Sequence, residues 1–349
     1  MNILFLSNIV TPYQLDFLEE LNNQSNVKAF GYFLFSKEQN RDWDLKLPEY
    51  VTVVNFNKKI SDYKNLHQFI KNNKIDKTVI GGYTLPSTYF LMFQSKIQKI
   101  DLYFWLERPI NEQVGLKKYL KEVYLKLTLG RAKKVFAIGK LASEIYKKYN
   151  DNIVNLPYCM NLEKFYSIKR YTKQSETINF LFSGQYIDRK NIINTINAFK
   201  QVDNEKIRLN IIGGGELKKE VTNLIKDDNR ISDLGFVQPH MLSEIYSKND
   251  VFLMPSKYDG WALVINEAMA AGMPVISTNK VGAVAEYIQH GTSGFICDES
   301  RQSIQNGIEF YCNRRDLISE HGKYNRELIK DSLGDVNNMT KEFVKQLEK

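Results

Sequence analysis

Short apolar runs alternate with helix-spaced segments from one end of this chain to the other, and that alternation leaves few folds open. Strand-like runs stand at NILFLS, KAFGYFLF, KTVIGG, DLYFWL and KKVFAIG. Between such runs the spacing changes to that of helices, as at Leu217, Val221, Leu224 and Ile225. Strands that are apolar almost throughout must be covered on both faces. Intervening helices supply that cover, so the pattern predicts parallel sheets in an α/β fold. After residue 175 it starts again with INFLFSG, IRLNIIGGG, VFLMPS and PVIST. A chain of 349 residues has room for two cores of roughly 150 residues each. We therefore expect two doubly wound, Rossmann-like domains facing a central cleft. Residues 1–172 form the first and 173–335 the second, divided in the polar stretch Ser167–Thr177, with the terminal helix 336–349 crossing back onto the first. Folds of this kind bind ligands beyond the carboxyl ends of their strands.

Two glycine turns follow strands of the second half. In FLFSGQYIDRKNIINTINAF a strand, Gly184, Arg189 with Lys190, and a helix come in that order. The N–H groups of a helix start give that end a partial positive charge, so cations are disfavoured there unless an anion joins them. Lysine as a point charge and arginine as a planar fork suit a diphosphate; two solvated basic residues are the plainer alternative. IIGGGEL places Gly214 in a strand-to-helix turn, where the backbone either approaches a ligand closely or only turns tightly. The most specific segment is MPSKYDGWALVINEAMAAGMPVIST. It predicts a buried strand, a loop with Gly260, a helix start rich in small residues at Asn266–Ala271, and a stop at Gly272 and Pro274. Asp259 and Glu267 bracket that loop. Carboxylates accept hydrogen bonds from paired hydroxyls, as a sugar or a ribose offers.

At these residues the chain resembles the family 4 glycosyltransferases of the GT-B fold, whose signature is Glu, seven residues, Glu, then Ala-Met-Ala-x-Gly-x-Pro-Val. Here the order is Asp259, seven residues, Glu267 and AMAAGMPV, with the first acid one methylene shorter. SGQYIDRKN, IIGGGEL, LGFVQPHMLSEIYSKNDVFLMPS and NLPYCMNLEKF are similar to further family segments. Lys190 stands at the family's lysine, and Arg189 substitutes for an arginine whose place Gln185 takes. The likeness covers the second half. The first half is similar in layout only, with TPYQ where many members have a glycine-rich loop. The resemblance implies a retaining transferase that moves a sugar from a nucleotide-diphosphate sugar, of the UDP type, to a glycan or a polyprenyl-diphosphate-linked glycan, with no metal or other cofactor. It implies that Glu267 holds the ribose and that Asp259, with the backbone of Gly260, Trp261 and Ala262, faces the sugar and its phosphate. Arg189 and Lys190 would neutralise the leaving diphosphate, Gly184 and Gly214 would line the donor, and Val237 would lie beside the base. A nucleotide-sugar epimerase or a phosphorylase on the same framework stays open as the alternative.

Charge separates the halves. Residues 1–172 hold 26 Lys+Arg against 16 Asp+Glu, whereas the remainder holds 22 against 24. The densest stretch runs from Lys117 to Lys148. It is either a face for an anionic partner, such as the inner face of a membrane, or a set of solvated helix faces. No nucleic-acid reader motif accompanies it, so nucleic acid is not an expected partner. Glu107, after the run DLYFWL, is the best polar candidate of the first half, the alternative being a surface acid paired with Arg108. None of His67, His240, His290 and His321 suits a reacting centre. Asp42-Trp43-Asp44 matches a metal-binding D-x-D by chance, because it follows no apolar strand, and no essential divalent metal is expected. The scattered Cys159, Cys297 and Cys312 and the lack of a leader or spanning segment predict a cytoplasmic chain.

Overall fold

The apolar runs form strands whose side chains are buried on both sides, as at Leu4, Phe104 and Phe136 in one sheet and Phe180, Leu209 and Leu253 in another. The computed structural model describes residues 1–35, 45–83, 87–109, 115–169 and 176–349. The first sheet contains β1 (Asn2–Ile9), β2 (Lys28–Phe35), β3 (Val51–Val53), β4 (Lys77–Ile80), β5 (Asp101–Leu106), β6 (Lys134–Ala137) and β7 (Ile153–Asn155). The second contains β8 (Ile178–Ser183), β9 (Ile207–Ile212), β10 (Ile231–Gly235), β11 (Val251–Met254), β12 (Val275–Thr278) and β13 (Gly294–Cys297). Among the described residues their orders are β3-β2-β1-β4-β5-β6-β7 and β10-β9-β8-β11-β12-β13. The pairings are parallel, for example Leu4 with Phe30 and Phe252 with Leu181. Each order reverses direction once, between β1 and β4 in the first sheet and between β8 and β11 in the second. At such a point the two connecting segments diverge, and the sheet leaves a crevice for a ligand.

The chain divides into two units, Met1–Met160 with Val336–Lys349, and Asn161–Asp335. The division thus falls at Met160 and not at residue 172. The segment after Met160 is tied to the second unit: Lys164 Nζ donates to the carbonyl of Pro239 at 2.8 Å, the Phe165 ring meets that of Tyr246, and Arg326 donates to the carbonyl of Ile168. Polarity alone placed the boundary in the later stretch, part of which lies outside the described residues. The terminal helix Val336–Glu348 belongs to the first unit. Its Phe343 ring lies 5.4, 5.3 and 5.2 Å from those of Phe5, Phe17 and Phe136. Burial of one such ring contributes about 1.5–3 kcal/mol, enough to hold the helix in place. Among the described residues no helix is long and apolar enough to cross a membrane.

Candidate active site

In the second unit the switch between β8 and β11 carries the residues that the sequence singles out. β8 ends at Ser183, and Gly184 follows with its N–H donated to the carbonyl of Ile212 at 3.1 Å. A 3-10 turn, Asp188–Lys190, then precedes the helix Ile192–Lys200. Asn191 joins the two with a positive φ of 60°. Its side-chain amide donates to the carbonyls of Pro255 and Glu299, which fastens this turn to the end of β11.

That fastening brings Arg189 and Lys190 to Asp259. Lys190 Nζ donates to Asp259 Oδ2, and both side chains are buried. Arg189 Nη1 lies 3.4 Å from the same oxygen and donates to the carbonyl of Tyr258 at 2.9 Å. The N–H of Trp261 donates to Asp259 Oδ1 at 3.3 Å. Burial pushes the Asp259 carboxyl up, but Lys190, Arg189 and the Trp261 N–H outweigh it and hold the group below its ordinary value. Two cations against one carboxylate leave the cluster with a net positive charge, which suits an anion.

The helix expected from Asn266 starts earlier, at Leu263, and runs to Ala270. Ala262 precedes it in the left-handed region, at φ 72° and ψ 78°. A non-glycine residue there costs about 1–3 kcal/mol, so the surrounding contacts must hold it. One of them is the close approach of Gly282 to Gly260: a Cβ on Gly282 would stand 2.2 Å from the Gly260 carbonyl oxygen. Trp261 is buried on the Tyr287 ring, and its indole N–H has no acceptor among the described residues. Glu267 lies on the helix, 6% exposed, and Tyr246 donates its hydroxyl to Glu267 Oε2 at 2.8 Å. Burial raises the Glu267 carboxyl to about 7, although Tyr246 and then Lys164 pull it down.

Gly214 and Val237 also stand at carboxyl ends of strands, after β9 and β10, both half-buried. The glycine turn is more exacting at Gly213 than at Gly214. Gly213 has φ 141°, and a Cβ there would stand 1.9 Å from the Gly184 carbonyl oxygen; a Cβ on Gly214 meets open space. Gly213→Ala should therefore destabilise the chain by roughly 2 kcal/mol, and Gly214→Ala by less than about 0.5 kcal/mol. Urea melts of the two variants check this, and equal midpoints would refute it.

Some residues at the site carry no signal of their own in the sequence. Tyr246 sits in an unremarkable helix, Leu242–Ser247, 21 residues before its partner Glu267. Tyr186 donates to Asp233 Oδ1 at 2.8 Å and ties the Gly184 turn to the end of β10. Glu107 belongs to the other unit and is exposed at the end of β5. Its side chain hydrogen-bonds Tyr158, whose ring lies 4.9 Å from that of Tyr13 in the TPYQ segment. The histidines have structural partners where they are buried: His321 Nδ1 shares a hydrogen bond with the Tyr311 hydroxyl at 3.0 Å. Asp42 and Asp44 lie outside the described residues. Among the described residues no three His, Cys, Asp or Glu side chains gather as a metal site.

Two parallel-sheet, Rossmann-like units of this kind make up the GT-B class of glycosyltransferase structures. The family described as glycosyl transferases group 1 matches residues 164–328. Over 211 residues it is 30% identical to a 41.2 kDa protein of the cps region of Klebsiella pneumoniae, covering 60% of this chain and 55% of that protein. The chain thus spans little more than half the length of that relative. It is 23% identical to a glycosyltransferase of Methanocaldococcus jannaschii over 81% of both chains. In fold it is similar to Anabaena HepE, solved in complex with UDP-glucose. The TM-score is 0.76 at 16% identity, covering 100% of this chain and 99% of that one.

Proposed function

We propose that the chain transfers a sugar from a nucleotide-diphosphate sugar, of the UDP kind, to a glycan or polyprenyl-diphosphate-linked glycan, with retention and without a metal. The observation that carries this is the convergence of Arg189, Lys190 and Asp259 at the β8/β11 switch of a group 1 domain. The complex of HepE with UDP-glucose supports the donor class. In the proposed scheme Arg189 and Lys190 take the charge that develops on the leaving diphosphate, the work that a metal does in other transferases. Asp259 fixes Lys190 and, with the loop Gly260–Ala262, meets the sugar. Glu267 accepts the ribose hydroxyls, and Val237 borders the base. Gly184 and Gly214 let the backbone approach the donor. In the first unit Glu107, with Tyr13 and Tyr158, offers an acid and aromatic faces to the acceptor. The acceptor oxygen bonds to the anomeric carbon on the face from which the diphosphate departs. The bond to the diphosphate breaks, and the acceptor's proton passes to the leaving phosphate oxygen. The site's contribution is positioning and charge stabilisation. The setting is polysaccharide assembly in the cytoplasm, at the inner face of the cell membrane.

A thermal-shift panel of UDP-, GDP- and ADP-sugars tests the donor. A sugar nucleotide at about one hundred times its Kd stabilises the fold by about 2.7 kcal/mol, and the UDP-sugars should be the ones that shift the melt. Proton NMR of the product should then show the donor's anomeric configuration, with full rates in EDTA. An inverted product or a dead reaction after chelation would sink the corresponding part. An epimer formed from donor alone would move the reading to a nucleotide-sugar epimerase.

A further inference from the structure

The first unit carries two helices whose apolar residues face solvent. In Gly115–Leu129 the side chains of Leu116, Tyr119, Leu120, Val123 and Leu127 are between 40% and 73% exposed. At about 100° per residue they fall within an arc of about 100°. Leu125, Thr128 and Leu129 occupy the opposite side and are buried. The helix is therefore apolar on two faces, and the core uses only one. Beside it, Thr88–Gln98 repeats the pattern with Tyr89, Phe93 and Ile97, each more than 60% exposed. The rings of Tyr89 and Tyr124 meet at 5.8 Å, so the two helices are neighbours.

The charge around this patch has one sign. Lys117 follows one edge of the arc and Lys126 the other, while Lys96 and Lys99 stand exposed at the end of the second helix. The acid of the two helices, Glu122, is paired with Lys148 at 3.2 Å. The structure also sorts the basic run read from the sequence. Lys133 bonds Asp101 and Lys134 is buried against Gln346, so those lysines serve the fold, while Lys147 stands in an exposed pair with Glu144. Lys117 and Lys126 of Gly115–Leu129 instead flank exposed apolar side chains. An apolar arc rimmed by lysines is the pattern of a helix that lies in a bilayer interface, with the side chains among acyl chains and the ammonium groups at anionic headgroups.

We infer that Thr88–Gln98 and Gly115–Leu129 form a docking face for an anionic lipid bilayer. This deepens, and rests on, the reading of a lipid-linked acceptor, but lipid binding itself needs neither donor nor acceptor. Co-sedimentation with vesicles tests it. The full chain should pellet with vesicles of phosphatidylglycerol mixed with phosphatidylcholine at low salt. Its partition should be about tenfold weaker at high salt and with phosphatidylcholine alone. Leu120→Glu with Leu127→Glu should cost at least about tenfold in partition, and Lys117→Gln with Lys126→Gln about the same. All these positions lie on the surface, so circular dichroism and the donor-induced thermal shift should be unchanged. No pelleting of the wild type, or equal pelleting of all three proteins, overturns the inference while a retained donor shift leaves the transferase reading standing. A dimer in sedimentation velocity that Leu120→Glu with Leu127→Glu splits, without lipid binding, would assign the face to a second copy and overturn it as well.

Discussion

Lys190→Ala is expected to lower transfer by about a thousandfold and to destabilise the fold by about 3–5 kcal/mol. Both effects come from one ammonium group. With it gone, buried Asp259 loses the ammonium that does most to hold it ionised and is left with weaker contacts, among them Arg189 at 3.4 Å and the Trp261 N–H at 3.3 Å. A carboxylate stripped of its main partner in a dry site is costly, because its desolvation is no longer offset. The pH dependence has a definite sign. Asp259 is held below its ordinary value of 3.8, so its contribution to stability is present above that value and is lost as pH falls through the folded-state value. The gap between wild type and Lys190→Ala should accordingly be wide near neutrality and narrow in acid. A double variant, Lys190→Met with Asp259→Asn, removes both charges and should recover most of the melting temperature. It should not recover turnover, since nothing then meets the diphosphate beside Arg189. Melting curves and sugar-transfer rates with the donor chosen by the panel separate the two effects. Wild-type turnover in the double variant would show that the pair is structural only.

The strands legible in the sequence and those that were not differ in one physical respect. The nine apolar runs became β1, β2, β4, β5, β6, β8, β9, β11 and β12, the interior of the two sheets. The four strands not anticipated, β3, β7, β10 and β13, are the four edges. An edge strand has one neighbour, and its burial is broken: Ile153–Asn155 is only half-buried, and Ile231–Gly235 is buried at Ile231 and then alternates between exposed and half-buried. Such segments carry no continuous apolar signal. The site divides in the same way. Asp259 and Glu267 announce themselves because glycine, proline and small residues around them dictate a strand, a loop and a helix. The contact of Lys190 with Asp259 spans 69 positions and depends on the order of β8 and β11, which no local pattern states. Tyr246 is invisible for the same reason. The domain boundary was misplaced because polarity marks a loop, whereas the division depends on which core Phe165 joins.

Glu267→Gln should weaken binding of the nucleotide sugar by about a hundredfold, and the pH dependence tells whether the carboxylate meets the ribose. Burial raises Glu267 to about 7 in the folded chain, from an ordinary value of 4.5. The folded state therefore holds this proton more tightly than the unfolded chain does. Its stabilising contribution is complete below 4.5 and is lost as pH rises through about 7. Glutamine has no proton to lose. From about pH 5 to pH 8 the variant should gain about 2 kcal/mol of stability relative to wild type. Binding runs the other way. Two ribose hydroxyls donate best to an ionised carboxylate, so donor binding should expel the proton. Wild-type affinity should climb by up to about tenfold per unit below pH 7 and level off above it. The diphosphate diester of a nucleotide sugar exchanges no proton in this range, so the slope belongs to the protein. Tyr246→Phe removes the hydroxyl that holds Glu267 at 2.8 Å and helps to keep it ionised. That variant should move the rise to higher pH without abolishing it. Titration calorimetry in two buffers of different ionisation enthalpy measures the released proton directly. A wild-type affinity that is flat with pH, or a glutamine variant that binds as well as wild type, would remove Glu267 from the ribose and leave the buried acid as a feature of the fold alone.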